Sequence, residues 1–198
     1  MFVANRPMSS PKRTTLSEAE LVQAACQGEE TAQRAIFERF RDRVYSLAIY
    51  SLGDETLAED ILQSVFIKVF QALPTFRFES ELGTWIYRIA INECHDQRRR
   101  AKMNLVALES IIGSDAEIDG TPGLDVRQVE RERGVKVQRA ILKMSPKLRD
   151  VLILRYVEEL SYEEISQVLD LSMGTVASRL NRALVDLERR LKALQVTP

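Results

Sequence analysis

The chain has 198 residues, 45% of them hydrophobic and 29% charged, and a formal net charge of −1, the profile of a soluble globular protein of one domain or two small ones. Eight glycines and six prolines are too few for a turn-rich all-β fold. No segment approaches the roughly 18–20 consecutive apolar residues of a membrane span, so no membrane insertion is expected. Cys26 and Cys94 lie far apart without Cys-x-x-Cys spacing, and His95 is the single histidine. A disulfide framework, a zinc site or any other metal set therefore lacks support, and free thiols in a reducing cytoplasm are expected. A Gly-rich phosphate loop and a plausible triad are also missing, so no catalytic residue and no cofactor is assigned.

The first 16 residues mix Pro, Ser, Lys and Arg, carry no signal-peptide run and read as a mobile tail. Ser17 with Glu20 forms a capping-box pattern that opens a first short helix, ending near Gly28. From Glu30, the apolar residues Ile36, Phe37, Phe40, Val44, Leu47 and Ala48 recur every three or four positions, which is helix period rather than strand alternation. Gly53 suits a left-handed helix end and Asp54 suits the next N-cap. A third helix carries Leu57, Ile61, Leu62, Val65, Phe66, Val69 and Phe70 and is stopped by Pro74. The segment PTFRFES, 74–80, reads as a loop. Ser80 is the expected cap of a fourth helix that runs through Trp85, Ile86, Ile89 and Ala90 into an arginine run.

Charge is distributed unevenly along the chain. Residues 86–102 carry five basic against two acidic side chains, and residues 104–133 carry seven acidic against three basic. The near-neutral total hides a basic segment followed by an acidic one. Periodicity lapses over 103–125, where Gly, Pro and acidic residues cluster, and a linker is expected over 103–133. A patterned helix resumes near 126–143. Ser145-Pro146 reads as N-cap and first helical residue, Ser161 with Glu164 is a second capping box, and Ser172 caps a last helix to about Leu194.

Residues 160–183, LSYEEISQVLDLSMGTVASRLNRA, hold two short amphipathic patterns either side of a turn. Ile165, Val168, Leu169, Leu171, Val176 and Leu180 form the inner seam. Asp170 sits at the turn, where it tolerates the left-handed conformation better than most residues. The positions Thr175, Ser178, Arg179, Asn181 and Arg182 are polar and mostly off the seam, as in a helix-turn-helix that presents its second helix to the major groove. The plain alternative is a helical hairpin with a solvated polar face.

Two separated blocks decide between these readings. AEDILQSVFIKVFQALPTFRFESELGTWIYRIAINECHDQRRR (58–100) resembles the second conserved region of bacterial sigma factors of the extracytoplasmic-function group. MSPKLRDVLILRYVEELSYEEISQVLDLSMGTVASRLNRALVDLERRL (144–191) resembles their fourth region. The resemblance implies an all-α fold of two small helical domains, a region 2 bundle over 17–102 and a region 4 helix-turn-helix over 134–198, joined by a flexible linker. It implies a dissociable subunit of bacterial RNA polymerase, cytoplasmic and nucleoid-associated, that directs the core enzyme to promoters and opens the DNA.

Site residues follow from motif match. Asp60, Gln63, Phe66 and Lys68 would dock on core polymerase, with partners on the β′ clamp and β subunit. Packing in the core is the competing reading of Phe66, as it is of Trp85. Arg77, Trp85, Arg88, Asn92, Asp96, Arg98, Arg99 and Arg100 would take the −10 element as single strand, by stacking, base-edge contacts and phosphate contacts. Thr175, Ala177, Ser178, Arg179, Asn181 and Arg182 would meet the duplex −35 element. Ala177 departs from relatives that often carry Lys or Arg there. The acidic linker would either mimic nucleic acid in a basic channel or serve as a disordered spacer. An anti-sigma factor is the expected regulatory partner, holding the chain at the membrane in some states, and a stress or environmental response is the expected setting. Whether Cys94 or His95 senses redox is left open by the sequence. The rival from another class is a conventional helix-turn-helix regulator that binds duplex DNA unaided.

Overall fold

The computed structural model describes residues 17–109 and 127–195; the expected N-terminal tail and most of the acidic linker lie outside the described residues. The described chain is helical: α1 (Glu18–Cys26), α2 (Glu30–Leu52), α3 (Glu55–Ala72), α4 (Leu82–Glu109), α5 (Arg127–Leu142), α6 (Pro146–Tyr156), α7 (Tyr162–Leu169) and α8 (Met173–Gln195), with a single 3₁₀ turn at Leu73–Thr75 between α3 and α4.

Local chemistry sets most of the boundaries. The Ser17 side chain accepts from the Glu20 amide while Glu20 returns to the Ser17 amide at 2.7 Å, a complete capping box. Gly53 closes α2 with φ 76, and Asp54 caps α3 by accepting from the Leu57 amide at 2.9 Å. Pro74 sits inside the 3₁₀ turn that ends α3. Ser145 precedes Pro146 as expected, but its hydroxyl makes no capping bond.

The start of α4 differs from the sequence expectation. The Ser80 hydroxyl bonds only the Glu81 carbonyl, at 3.3 Å. The Leu82 amide instead donates to Glu18 Oε1 at 3.1 Å, so a carboxylate from α1 satisfies an orphan donor and complements the helix dipole. The pair is 64 residues apart and leaves no local pattern. Helix α4 also continues beyond residue 102, and α5 starts at Arg127 within the segment expected to be linker.

The first four helices pack as a bundle. Ile36, Phe40, Val44 and Leu47 of α2 meet Ile61, Val65, Phe66 and Val69 of α3 and Leu82, Ile86, Ala90 and Ile91 of α4, all buried. Each fully buried Leu or Ile contributes about 1.5–3 kcal/mol relative to exposure. In the C-terminal half, α6 and α7 pack on α8 through Val151, Leu154, Ile165, Val168, Val176 and Leu180.

These two bundles are themselves packed together. Helix α7 lies on α4, while α5 and α6 lie on α2, and buried residues of both halves form one continuous core. Gly53, whose φ of 76 favours glycine, faces the Leu142 side chain closely enough that an added β-carbon would make the Leu142 methyl groups shift, so the end of α2 and the end of α5 lie against each other.

Arg149 of α6 occupies this junction. It donates to the carbonyls of Ile141 (3.1 Å), Met144 (3.0 Å), Leu142 and, from α2, Ser51 (2.6 Å). A buried guanidinium thus satisfies carbonyls at the C-terminal ends of two helices, where the dipole favours a cation. Burial lowers its pKa, yet an arginine keeps its charge.

Candidate nucleic-acid interface

The loop between α3 and α4 is built around aromatic rings. Thr75 closes the 3₁₀ turn by donating its hydroxyl to the Ala72 carbonyl at 2.7 Å. Phe76 then packs inward, its ring centroid 5.2 Å from Trp85 on α4 and 4.8 Å from Phe78. Beside it opens a cavity of about 530 Å³ lined by Thr75, Phe76, Arg77, Glu79, Ser80, Thr84, Trp85 and Arg88. That volume suits a single small ring system with its neighbours. Aromatic walls and two arginines supply stacking and charge for an unpaired base and its phosphate.

Asn92 and Asp96 lie further along α4 in a different cavity, about 500 Å³, shared with Lys68, Gln71, Ala72, Ile89 and Glu93. Lys68, assigned from the sequence to polymerase docking, is therefore beside Asn92. Its ammonium pairs with Glu93, which also accepts from Ser64 Oγ at 2.7 Å. Burial alone would raise the Glu93 pKa, but the Lys68 and Ser64 bonds together hold its carboxyl below the ordinary range.

The arginine run divides. Arg100 is exposed, Arg99 pairs with Asp96 at 3.1 Å, and Arg98 turns toward the C-terminal half. On α3, Asp60 and Gln63 are exposed. Phe66 is a core side chain, 4% exposed and edge-on to Phe37 at 4.8 Å. Ile67, which the sequence reading passed over, is 59% exposed. Its place off the 61, 65, 69 stripe was visible in the periodicity, and it falls on the same face as Asp60 and Gln63.

Helices α7 and α8 form the second candidate surface. The Ser161–Glu164 capping box is complete, Asp170 takes the left-handed conformation with φ 53, and the Thr175 amide donates to Ser172 Oγ at 3.3 Å. Beyond that cap, Ala177, Ser178, Asn181 and Arg182 are exposed, while Thr175 and Arg179 are half-buried. Arg182 lies back along its own helix, its Nε donating to the Ser178 carbonyl at 3.2 Å.

The two surfaces meet. Gln167 and Asp170, at the helix-turn-helix corner, line the same cavity as Arg77, Trp85 and Arg88. Nearby, Asp150 of α6 is bonded by His95 Nε2 at 2.7 Å and by Arg98 Nη2 at 3.0 Å, both from α4. Glu158, in the α6–α7 turn, is 2% exposed and neither of its carboxylate oxygens has a hydrogen-bond partner among the described residues. Burial pushes its pKa up to about 7, with Tyr87 and Arg43 of the N-terminal half opposing the shift. Sequence reasoning missed Arg149, Asp150 and Glu158, whose partners lie far away in the chain. Cys94 is fully buried, and burial pushes its thiol up to about 11, a protonated, sheltered group without the thiolate character of a redox sensor.

Residues 36–103 match sigma-70 region 2, and residues 134–187 match sigma-70, region 4. The ECF RNA polymerase sigma factor SigW of Bacillus subtilis (strain 168) is 32% identical over 180 residues, covering 84% of this chain and 92% of that one. The ECF RNA polymerase sigma-E factor of Escherichia coli (strain K12) is 31% identical over 190 residues, covering 90% and 96%. Among solved structures, CnrH in complex with the cytosolic domain of CnrY superposes with a TM-score of 0.66 at 24% identity, covering 89% of this chain and 97% of that one, a likeness of fold. With both regions matched in order and the relatives spanned almost end to end, the chain belongs to the extracytoplasmic-function group of sigma-70 family RNA polymerase sigma factors.

Proposed function

We propose that the chain engages core polymerase through the exposed α3 face carrying Asp60 and Gln63, with Lys68 at its edge toward α4, takes the opened −10 strand on the α3–α4 loop and α4, and reads duplex −35 DNA with α8. The β′ clamp is the partner for α3 and the β subunit for the C-terminal half. It is a transcription initiation factor and not an enzyme. Its partners are core polymerase, promoter DNA and an anti-sigma factor; a fold relative from Bartonella quintana was solved with the anti-sigma factor NepR. It works in the cytoplasm at the nucleoid, and an anti-sigma factor holds it at the membrane when inactive. Among the described residues no helix is long and apolar enough to cross a membrane.

The observation that carries this reading is the aromatic and arginine-lined cavity of the matched region 2, placed beside a helix-turn-helix whose polar face is exposed. Its geometry adds a condition. Elements numbered −35 and −10 are about 25 base pairs, hence roughly 85 Å, apart on B-form DNA. Here the two readers share one cavity. They cannot both hold a promoter in this arrangement, so the halves separate when the chain joins polymerase.

Reconstituted transcription with purified core polymerase on a genomic promoter library tests the proposal. The expected result is tight core binding, transcription from a subset of promoters, and weak duplex binding by the chain alone. Failure to bind core, with tight duplex binding unaided, would overturn it in favour of a conventional regulator.

A further inference from the structure

Phe78 is out of place as a loop residue. Its φ is 57, a left-handed conformation that is strained for an ordinary residue and in which a bulky side chain is an outlier. Burial does not compensate in full, because the residue is 51% exposed. Glycine would adopt this backbone without strain, and a polar residue would be better hydrated. Loop folding therefore does not account for phenylalanine at this position, and strain held at an exposed loop tip points to function.

Its surroundings indicate which function. Phe78 rests against Phe76 at 4.8 Å, with the ring planes tilted by 54°, and Phe76 rests against Trp85 at 5.2 Å. A half-buried ring on α4 is thus linked through Phe76 to an exposed ring at the loop tip. Exposed Arg77 precedes Phe78, and Arg88 lines the cavity behind it. An outward aromatic face flanked by guanidinium groups is the chemistry that holds an unstacked base and its phosphate, with little dependence on which base it is. Phe78 does not line the cavity itself, so the base it meets is a different one from any held in that cavity.

We propose that Phe78 is a stacking platform for a base of the opened −10 strand, additional to the cavity. This rests on the sigma-factor reading above. Phe78 positions DNA and reads no base edge, and about half of its surface is open to solvent.

The test uses the full chain with core polymerase and a forked duplex whose single-stranded arm is of randomised sequence, comparing wild type, Phe78→Gly and Phe78→Tyr. Phe78→Gly is expected to leave the unfolding midpoint within about 3 °C and core affinity unchanged, while weakening holoenzyme binding to the forked probe roughly ten-fold, in the range of one base stack. Phe78→Tyr, which keeps a π-face, is expected to bind like wild type. Equal forked-probe binding by wild type and Phe78→Gly overturns the platform, as does a Phe78→Tyr variant no better than Phe78→Gly. Wild type that fails to bind core overturns the sigma reading first, and the platform with it.

Discussion

The surfaces proposed to face DNA and the junction between the two halves use charge in opposite ways. Arg77, Arg88, Arg100 and Arg182 are exposed, available to a polyanion and open to screening by salt. At the junction Arg149 is buried and bonded to four carbonyls, and Asp150 is buried and held by His95 and Arg98. The exposed set contributes little to folding and is free to bind. The buried set specifies how the halves fit, because a buried charge left without its partner is costly. Glu158 and the Nη1 of Arg98 depart from this pattern, both buried at the junction without a hydrogen-bond partner among the described residues, so the closed arrangement carries groups that resist it.

The largest effect that would break this contrast is at Arg149. Arg149→Met keeps the volume but leaves carbonyls on α2 and α5 unsatisfied, and is expected to destabilise the chain by roughly 2–4 kcal/mol, read as a lower midpoint in urea unfolding. A variant as stable as wild type would show that those carbonyls find other partners.

Glu158 sharpens the contrast through pH. Its pKa is about 7 when buried, against an ordinary 4.5. Below pH 4.5 it is protonated whether the halves are packed or apart and has no effect. Between 4.5 and 7 the packed state retains a proton that the separated state releases, so packing weakens as pH rises. Above 7 the loss levels off at roughly 3 kcal/mol. Glu158→Gln is expected to match wild type near pH 4.5 and to be more stable at pH 8, flattening the profile; a variant with an unchanged stability–pH curve would remove Glu158 from the junction's energetics.

Asp150→Asn comes next. It removes the charge facing His95 and Arg98, whose Nη1 is already buried without a partner among the described residues. A loss of about 1 kcal/mol is expected, with core polymerase bound more tightly because the closed state competes less. Weaker core binding would place Asp150 in the polymerase contact itself. The smallest effect is on the exposed side. Ala177→Lys adds a cation to the α8 face and is expected to steepen the salt dependence of −35 promoter binding by about one phosphate contact, with no change in thermal midpoint. An unchanged slope would place residue 177 away from the DNA backbone.

What could be read from the sequence divides along the same line. The helix starts at Ser17, Asp54 and Ser161, the turns at Gly53 and Asp170, and the helix-turn-helix seam are written within four or five residues and were legible. The candidate −10 residues rest on resemblance alone, and the structure divides Arg77, Trp85 and Arg88 from Asn92 and Asp96 into separate cavities. The junction was not legible. Arg149 reaches Ser51 across 98 residues, and Asp150 reaches His95 across 55. On α6 alone, Arg149 and Asp150 look like ordinary helix-surface charges. Glu18 capping α4 in place of Ser80 has the same cause, since tertiary packing brought a stronger acceptor than the local one.

The central claim is that the two DNA readers are packed together in the free chain and part only on polymerase. Arg41 on α2 and Glu163 on α7 are exposed, and their neighbours Arg39 and Glu164 line one cavity, so labels there lie close when the halves are packed. Energy transfer between cysteines placed at Arg41 and Glu163, in a Cys26→Ser background, reads the separation directly. Transfer is expected to be high in the free chain, unchanged by duplex DNA alone, and lost on adding core polymerase. High transfer that persists with core polymerase bound, or is lost on duplex DNA alone, would contradict it.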